Sequence, residues 1–209
     1  MRPLERVHVF GAAGCGSTTL AWALARRLAC QHLDVDDFYW LPTTPPFRRR
    51  RTPPERLRML SEVAASTPRW VLSGPVVGWG DPLLPHLDLV VFLYVPTEVR
   101  LDRLKRRERA RFGDALDPGG SMHDQHKAFL SWASGYDLGL SGGRTLLADA
   151  TWLGYLPCPM MCLIGECETM KQIDQVLTFW ETQAHQPKAS IPSTSEIITG
   201  VLDSVPYPP

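Results

Sequence analysis

The residues Gly11-Ala12-Ala13-Gly14-Cys15-Gly16-Ser17-Thr18-Thr19 fit the pattern G-x-x-x-x-G-x-[ST]. Glycines so closely spaced let successive backbone N–H groups turn to one side and form a nest for an anion. The consecutive hydroxyls of Ser17, Thr18 and Thr19 then stand where a helix would begin, and free amides with a partial positive charge attract phosphate there. Thr18 holds the eighth position of the pattern, from which a hydroxyl can ligate Mg2+. Dinucleotide-binding loops are glycine-rich too, and Asp34 or Asp36 stands about 20 residues on, where it could hold a ribose. However, Gly11, Gly14 and Gly16 do not space as G-x-G-x-x-G, and none of Lys105, Lys127, Lys171 and Lys188 follows a tyrosine by four positions, so a reductase dyad is missing.

A second cluster, Asp34-Val35-Asp36-Asp37-Phe38-Tyr39-Trp40, sets carboxylates beside aromatic rings. A carboxylate facing bound phosphate can orient or deprotonate an acceptor hydroxyl, and a neighbour can hold Mg2+ through water. If a strand continues through this stretch, Asp34 and Asp36 share one face and Asp37 takes the other. Asp36 is then the first candidate for acceptor or metal and Asp34 the next, with an acidic helix cap as the plainer reading, above all for Asp37. Arg103, Arg106, Arg107 and Arg111 recur at spacings that bring several guanidinium groups to one side of a helix, as phosphate ligands or as a solvated basic face. Trp79 lies between Gly78 and Gly80, as a flat wall for a ligand or as an anchor in the core.

The elements that must position these residues alternate. The patterning predicts strands over 7–10, 32–35, 70–73, 87–95 and 158–164, and helices over 18–28, 55–65, 97–111, 123–136 and 168–182. Prolines between 42 and 54 break regular structure around Arg48 to Arg51, and 113–120 reads as a loop. The run Leu-Asp-Leu-Val-Val-Phe-Leu-Tyr-Val is apolar enough to be a central parallel strand covered on both faces. Such alternation implies an α/β three-layer sandwich around a mostly parallel five-stranded sheet, with its ligand site at the carboxyl ends of the strands.

In this setting the glycine loop resembles that of P-loop NTPases, with Ser17 standing where the family has a lysine. The acidic cluster resembles the motif after the second strand in shikimate, gluconate and uridine kinase relatives. The strand, Pro96 and arginine helix resemble the lid region of adenylate kinases. Over about residues 5–182 the chain thus resembles small P-loop kinases that act on small molecules or nucleoside monophosphates. The resemblance implies a P-loop kinase fold with a helical lid and Mg-ATP at Gly11 to Thr19, with Arg103 as a further nucleotide contact. The acceptor would be a nucleotide or a hydroxyl metabolite, among Asp37, Tyr39, Trp40, Ser73, Gly74 and Trp79. It assigns Asp34, Asp36 and a lid pair, Arg107 and Arg111, to catalysis, and Mg2+ to Thr18 and Asp36. A catalytically weak, nucleotide-binding regulatory protein on the same fold is the alternative, because a lost phosphate cation of this kind costs about a hundredfold or more in rate.

Composition is compatible with this reading. The chain has 209 residues, 44% hydrophobic and 21% charged, enough for one core domain over 1–185. From 186 to 209 it turns rich in Pro, Ser and Thr, as expected of a flexible tail. Basic and acidic residues balance at 22 each, but 18 basic and 11 acidic residues precede Phe112, so anions belong to the first part. The arginine runs lack the interleaved aromatics that stack on bases, and no nucleic-acid partner is expected. The odd set Cys15, Cys30, Cys158, Cys162 and Cys167 lacks a C-x-x-C pair and reads as reduced thiols, and His123 with His126 lacks a third metal ligand. With no long apolar run or leader-like start, the expectation is a cytoplasmic protein off the membrane, monomeric or a homodimer.

Overall fold

The computed structural model describes residues 3–140 and 142–183; the tail expected over 186–209 lies outside the described residues. Five strands, β1 (Arg6–Gly11), β2 (Gln31–Asp34), β3 (Trp70–Ser73), β4 (Leu89–Tyr94) and β5 (Met160–Ile164), are joined by helices α1 (Ser17–Arg27), α2 (Val35–Tyr39), α3 (Pro53–Ser66), α4 (Thr97–Phe112), α5 (His123–Ser134) and α6 (Leu146–Leu153), with α7 (Thr169–Gln183) last. The sheet order is β2-β3-β1-β4-β5 and every pairing is parallel. β1 is therefore central, with Val7 to Gly11 in register with Leu89 to Leu93 on one side and Arg6 to Val9 with Trp70 to Ser73 on the other.

The period of two along each strand divides the core into two layers. Val7 and Val9 of β1, with Leu89, Val91 and Leu93 of β4, pack under α1 and α7 against Leu20, Leu24, Ile173 and Val176. Phe10 of β1, with Val90, Phe92 and Tyr94 of β4, faces the opposite layer of Phe38, Leu60, Trp152 and Leu153. Each such side chain, fully buried, contributes about 1.5–3 kcal/mol. β4 is buried along its whole length, which explains why its sequence carries no alternation to solvent.

Local chemistry sets the helix ends. α3 starts with a capping box between Thr52 and Glu55 and two prolines in its first turn, whose missing N–H groups are no loss there. Two helices depart from the expected pattern. α6 begins where the Thr145 hydroxyl accepts from the amide of Ala148, and Leu146, Ala150, Trp152 and Leu153 are all buried. α2 ends β2 one residue earlier than expected, with consequences for the acidic cluster. Short 3-10 turns also occupy Asp81–His86 and Gly113–Leu116, the latter within a stretch expected to be loop.

Candidate active site at the carboxyl ends of β1 and β2

The glycine loop leaves the end of β1 in the centre of the sheet and enters α1 at Gly16. Gly14 and Gly16 both have positive φ, 85° and 97°. A methyl group at Gly14 would lie 2.7 Å from the Arg100 carbonyl oxygen, and one at Gly11 would lie 2.1 Å from that of Leu93, so the loop presses directly on β4 and α4. Gly16 caps α1 with no side-chain acceptor, and no acidic residue stands in the first turn. The amides at the start of α1 are thus open to an anion, with Thr18 and Thr19 exposed beside them and Ala12 and Cys15 buried below. Burial pushes the Cys15 thiol up, against the lowering effect of the Ser17 amide and hydroxyl in hydrogen-bonding reach.

Alternate carbonyls of this loop are held by three arginines. Arg144 Nη2 donates to the Gly11 oxygen at 2.8 Å, Arg100 Nη1 to Ala13 at 3.3 Å, and Arg103 Nη1 to Cys15 at 3.4 Å. Arg103 was expected at the nucleotide; the other two were not expected at the loop. Arg100 is wholly buried and ties the loop to Val95, Thr97 and Asp137. The buried stripe of α4 is Arg100, Leu104 and Glu108, so two of its three positions are charged and apolar periodicity does not show them. Arg103 also pairs with Glu166 and lines a 230 Å³ cavity beside the loop with Gly16, Thr19, Gly165 and Gln172.

The acidic cluster requires a correction. The strand does not continue through it, so Asp34 and Asp36 do not alternate along one face. Asp34 is the N-cap of α2, its side chain accepting from the Asp36 amide at 3.0 Å, because a short side-chain acceptor followed by buried Val35 and Phe38 favours a helical turn. It is Asp34, rather than Asp37, that takes the cap. Asp36 and Asp37 both project from the first turn and line a 510 Å³ cleft with Trp40, Thr43, Phe47 and Arg51. Asp36 Oδ1 accepts from Trp40 Nε1 at 3.2 Å. Crowding of protein around Asp36, and then the nearby Asp34, raise its pKa, opposed by the Trp40 hydrogen bond and Arg107.

The segment closing this cleft folds back on itself: Leu41 N–H donates to Arg49 and Arg51 N–H to Tyr39, with Trp40 and Arg50 bridged antiparallel. Tyr39 stacks under the Arg56 guanidinium, 3.6 Å from ring centre to Cζ, and the partly buried Trp79 ring has its centre 5.9 Å from the same Cζ. Of the expected lid pair, Arg107 is half-exposed, pairs with Glu108 and influences Asp36, while Arg111 stands 5.5 Å from the Phe47 ring. Arg107 therefore stands near Asp36, and Arg111 beside the Phe47 that lines the cleft. Arg106 pairs outward with Asp102. Ser73 is buried with its hydroxyl at His32 and Leu33, and Gly74 uses its amide on Val9 and its carbonyl on His8, and neither is among the residues that line the cleft.

Among the described residues no group of three or more His, Cys, Asp or Glu could hold a metal ion, and no helix is long and apolar enough to cross a membrane. His123 Nδ1 instead lies 2.9 Å from the Leu116 carbonyl oxygen.

No protein-family model matches the chain. Over 175 residues it is 40% identical to the uncharacterized protein YqaC of Bacillus subtilis (strain 168), a match that spans 84% of this chain and 97% of that one. The chain belongs to the YqaC family. Among solved structures it is similar to a shikimate kinase from Acinetobacter baumannii in complex with shikimate, with TM-score 0.54 and 16% identity over 88% of this chain and 96% of that one. A sugar kinase from Janibacter sp. HTCC2649 gives TM-score 0.50 and 20% identity over 86% and 95%. At these identities the likeness concerns the fold, which for this YqaC family member is the P-loop kinase fold, a five-stranded parallel sheet with helices on both sides.

Proposed function

We propose that this chain is an ATP-dependent small-molecule kinase that transfers the γ-phosphoryl of Mg-ATP to a small acceptor, a hydroxyl metabolite or a nucleotide. The observation that carries this reading is the uncapped start of α1, with its left-handed glycines, at the same end of the sheet as a cleft lined by Asp36 and Asp37. The amides of Gly14 and of Gly16 to Thr19 bind the phosphates, while that of Cys15 donates to the Ala12 carbonyl within the loop. The cavity beside Gly16 and Arg103 takes the nucleoside. Mg2+, when bound, would neutralise phosphate charge; the exposed Thr18 hydroxyl fits its habit of taking one or two protein oxygens beside phosphate and water, and Asp36 is the candidate for contact through water.

On the acceptor side, Asp36 removes the hydroxyl proton. Its raised pKa makes it a better base than an ordinary carboxylate, and the Trp40 bond on Oδ1 leaves Oδ2 for the acceptor. Tyr39, Trp40 and Trp79 supply ring faces, and Arg107 and Arg111 balance charge on the transferring group. Transfer forms a bond between the acceptor oxygen and the γ-phosphorus and breaks the bond to the β–γ bridging oxygen, releasing ADP. Ser17 in place of a lysine favours a second reading, a nucleotide-dependent regulatory protein that binds but turns over slowly.

Thermal unfolding with saturating Mg-ATP tests the site. Ligand at 100 times its dissociation constant adds about 2.7 kcal/mol, which raises the midpoint of a chain this size by about 5–10 °C. The shift should vanish in Thr18→Ala; an unchanged shift in that variant would remove the phosphate site from this loop. ADP release with a panel of sugar, sugar-acid, nucleoside and nucleotide acceptors then separates the readings, since binding without turnover selects the regulatory one.

A further inference from the structure

Arg144 lies far from the loop in sequence and touches its first residue in space. Its guanidinium is locked in place: Nε donates to Asp149 Oδ1 at 3.0 Å, Nη2 reaches both Asp149 Oδ2 and the Gly11 carbonyl, and Asp149 is completely buried. The Tyr136 hydroxyl donates to the same Asp149 Oδ2 at 2.6 Å, and the Thr145 cap fixes the start of the helix that carries Asp149. Among the described residues, these bonds leave Nη1 without an acceptor, and 16% of the Arg144 side-chain surface stays exposed. So rigid a mount for a cation is more than a turn needs. A planar guanidinium with one edge held by a carboxylate presents its remaining N–H groups in a fixed direction.

Ser17, which carries no charge, adjoins this group through a short chain of contacts. Its hydroxyl reaches the Cys15 thiol, and that thiol lies against Gly11, whose carbonyl Arg144 holds. Arg100 cannot serve in the same way, because it is wholly buried with its guanidinium divided among carbonyls, Thr97 and Asp137. Arg103 stands at the nucleoside side and pairs with Glu166. We propose that Arg144, mounted on Asp149 and Tyr136, is the cation of the phosphate loop, supplying to the terminal phosphates the charge that Ser17 lacks. The inference rests on the reading that this loop binds a nucleoside triphosphate. Such a cation would let phosphoryl transfer proceed at a loop without its own lysine, because preorganised charge serves the terminal phosphate whichever element brings it.

The test compares Mg-ATP and Mg-ADP affinities by calorimetry in the full chain. Because removing Arg144 alone strands a buried carboxylate, the variant is Arg144→Gln with Asp149→Asn, its folding checked by urea titration. Loss of a charge-assisted contact to the terminal phosphate should lower the ATP-over-ADP affinity ratio by about tenfold or more. Arg144→Lys should keep part of it, and adding Ser17→Lys to the double variant should restore it. A ratio unchanged in a folded double variant would make Arg144 a brace of the loop and overturn the proposal, as would a loss that Ser17→Lys does not repair. If the double variant does not fold, Arg144→Lys decides, with an unchanged ratio and a Ser17→Lys protein that gains tenfold counting against the proposal. Failure of the nucleotide reading itself appears earlier, as no triphosphate binding by the unaltered protein.

Discussion

His8 Nε2–H donates to the carbonyl oxygen of Gly74 at 2.7 Å, joining the centre of β1 to the turn that follows β3. The ring is stacked on Phe10, with centroids 4.9 Å apart, and is wholly buried, with Nδ1 lacking a partner. Burial lowers its pKa to about 4, the Gly74 bond opposing this and Arg144 assisting it. Unfolded, the same side chain titrates at the ordinary 6.5. Below 6.5 the unfolded chain therefore binds a proton that the native protein refuses, so stability is complete above that pH and falls as the pH drops toward 4. Between pH 7 and 5 the loss from His8 should be about 2 kcal/mol. Urea unfolding at both values checks it: His8→Gln should lose less by roughly that amount, and equal slopes would refute the assignment.

Glycine substitutions should separate packing from backbone strain. At Gly14 a methyl group meets backbone of α4 at 2.7 Å and also requires φ 85°, whereas at Gly16 the nearest atom is the Arg103 side chain at 3.9 Å. Gly16→Ala should cost about 1–2 kcal/mol, the strain alone. Gly14→Ala should cost clearly more, since α4 must shift. Denaturant midpoints decide, and equal losses would show that the loop does not rest on α4 as described.

Asp36→Asn should lower turnover by about 10²–10⁴. In the unaltered protein turnover should rise with pH as Asp36 loses its proton, at a higher pH than for an ordinary carboxylate. Asp34→Ala acts differently: loss of the α2 cap costs about 1 kcal/mol of stability. A flat pH profile in the unaltered protein would take the base role away from Asp36.

Arg107→Ala should depress turnover more than nucleotide affinity. It should also move the acid limb of the turnover profile to higher pH, because the positive charge of Arg107 lowers the Asp36 pKa and its removal lets that pKa rise further. An unmoved limb would mean that the half-exposed guanidinium is screened from the cleft.

The division between what could be read along the chain and what could not follows the range of the forces. The glycine loop, the hydroxyls after it, the strands around 7–10 and 70–73 and the apolar run of β4 were legible, because backbone freedom, pleat period and two-sided burial are properties of neighbouring residues. Asp34 is at the border: a helix cap is local chemistry, but the strand before it sets an equally local alternation. Only the burial of both Val35 and Phe38 in one core layer, at the three-residue spacing of a helical turn, decides it.

Arg100, Arg144, Asp149 and His8 lay beyond that range. A charged residue on a buried stripe looks like solvent-facing charge until the helix has a neighbour, and Arg144 meets Gly11 only because β1 and α6 pack in the same layer. The sequence by itself determined that a phosphate-shaped loop stands at the end of the first strand, with acidic residues after the next one, whereas the place of that first strand at the centre of the sheet came from the tertiary structure. Tertiary structure alone decided which side chains hold that loop, since a buried ion pair or imidazole is tolerated only where distant segments supply all of its partners.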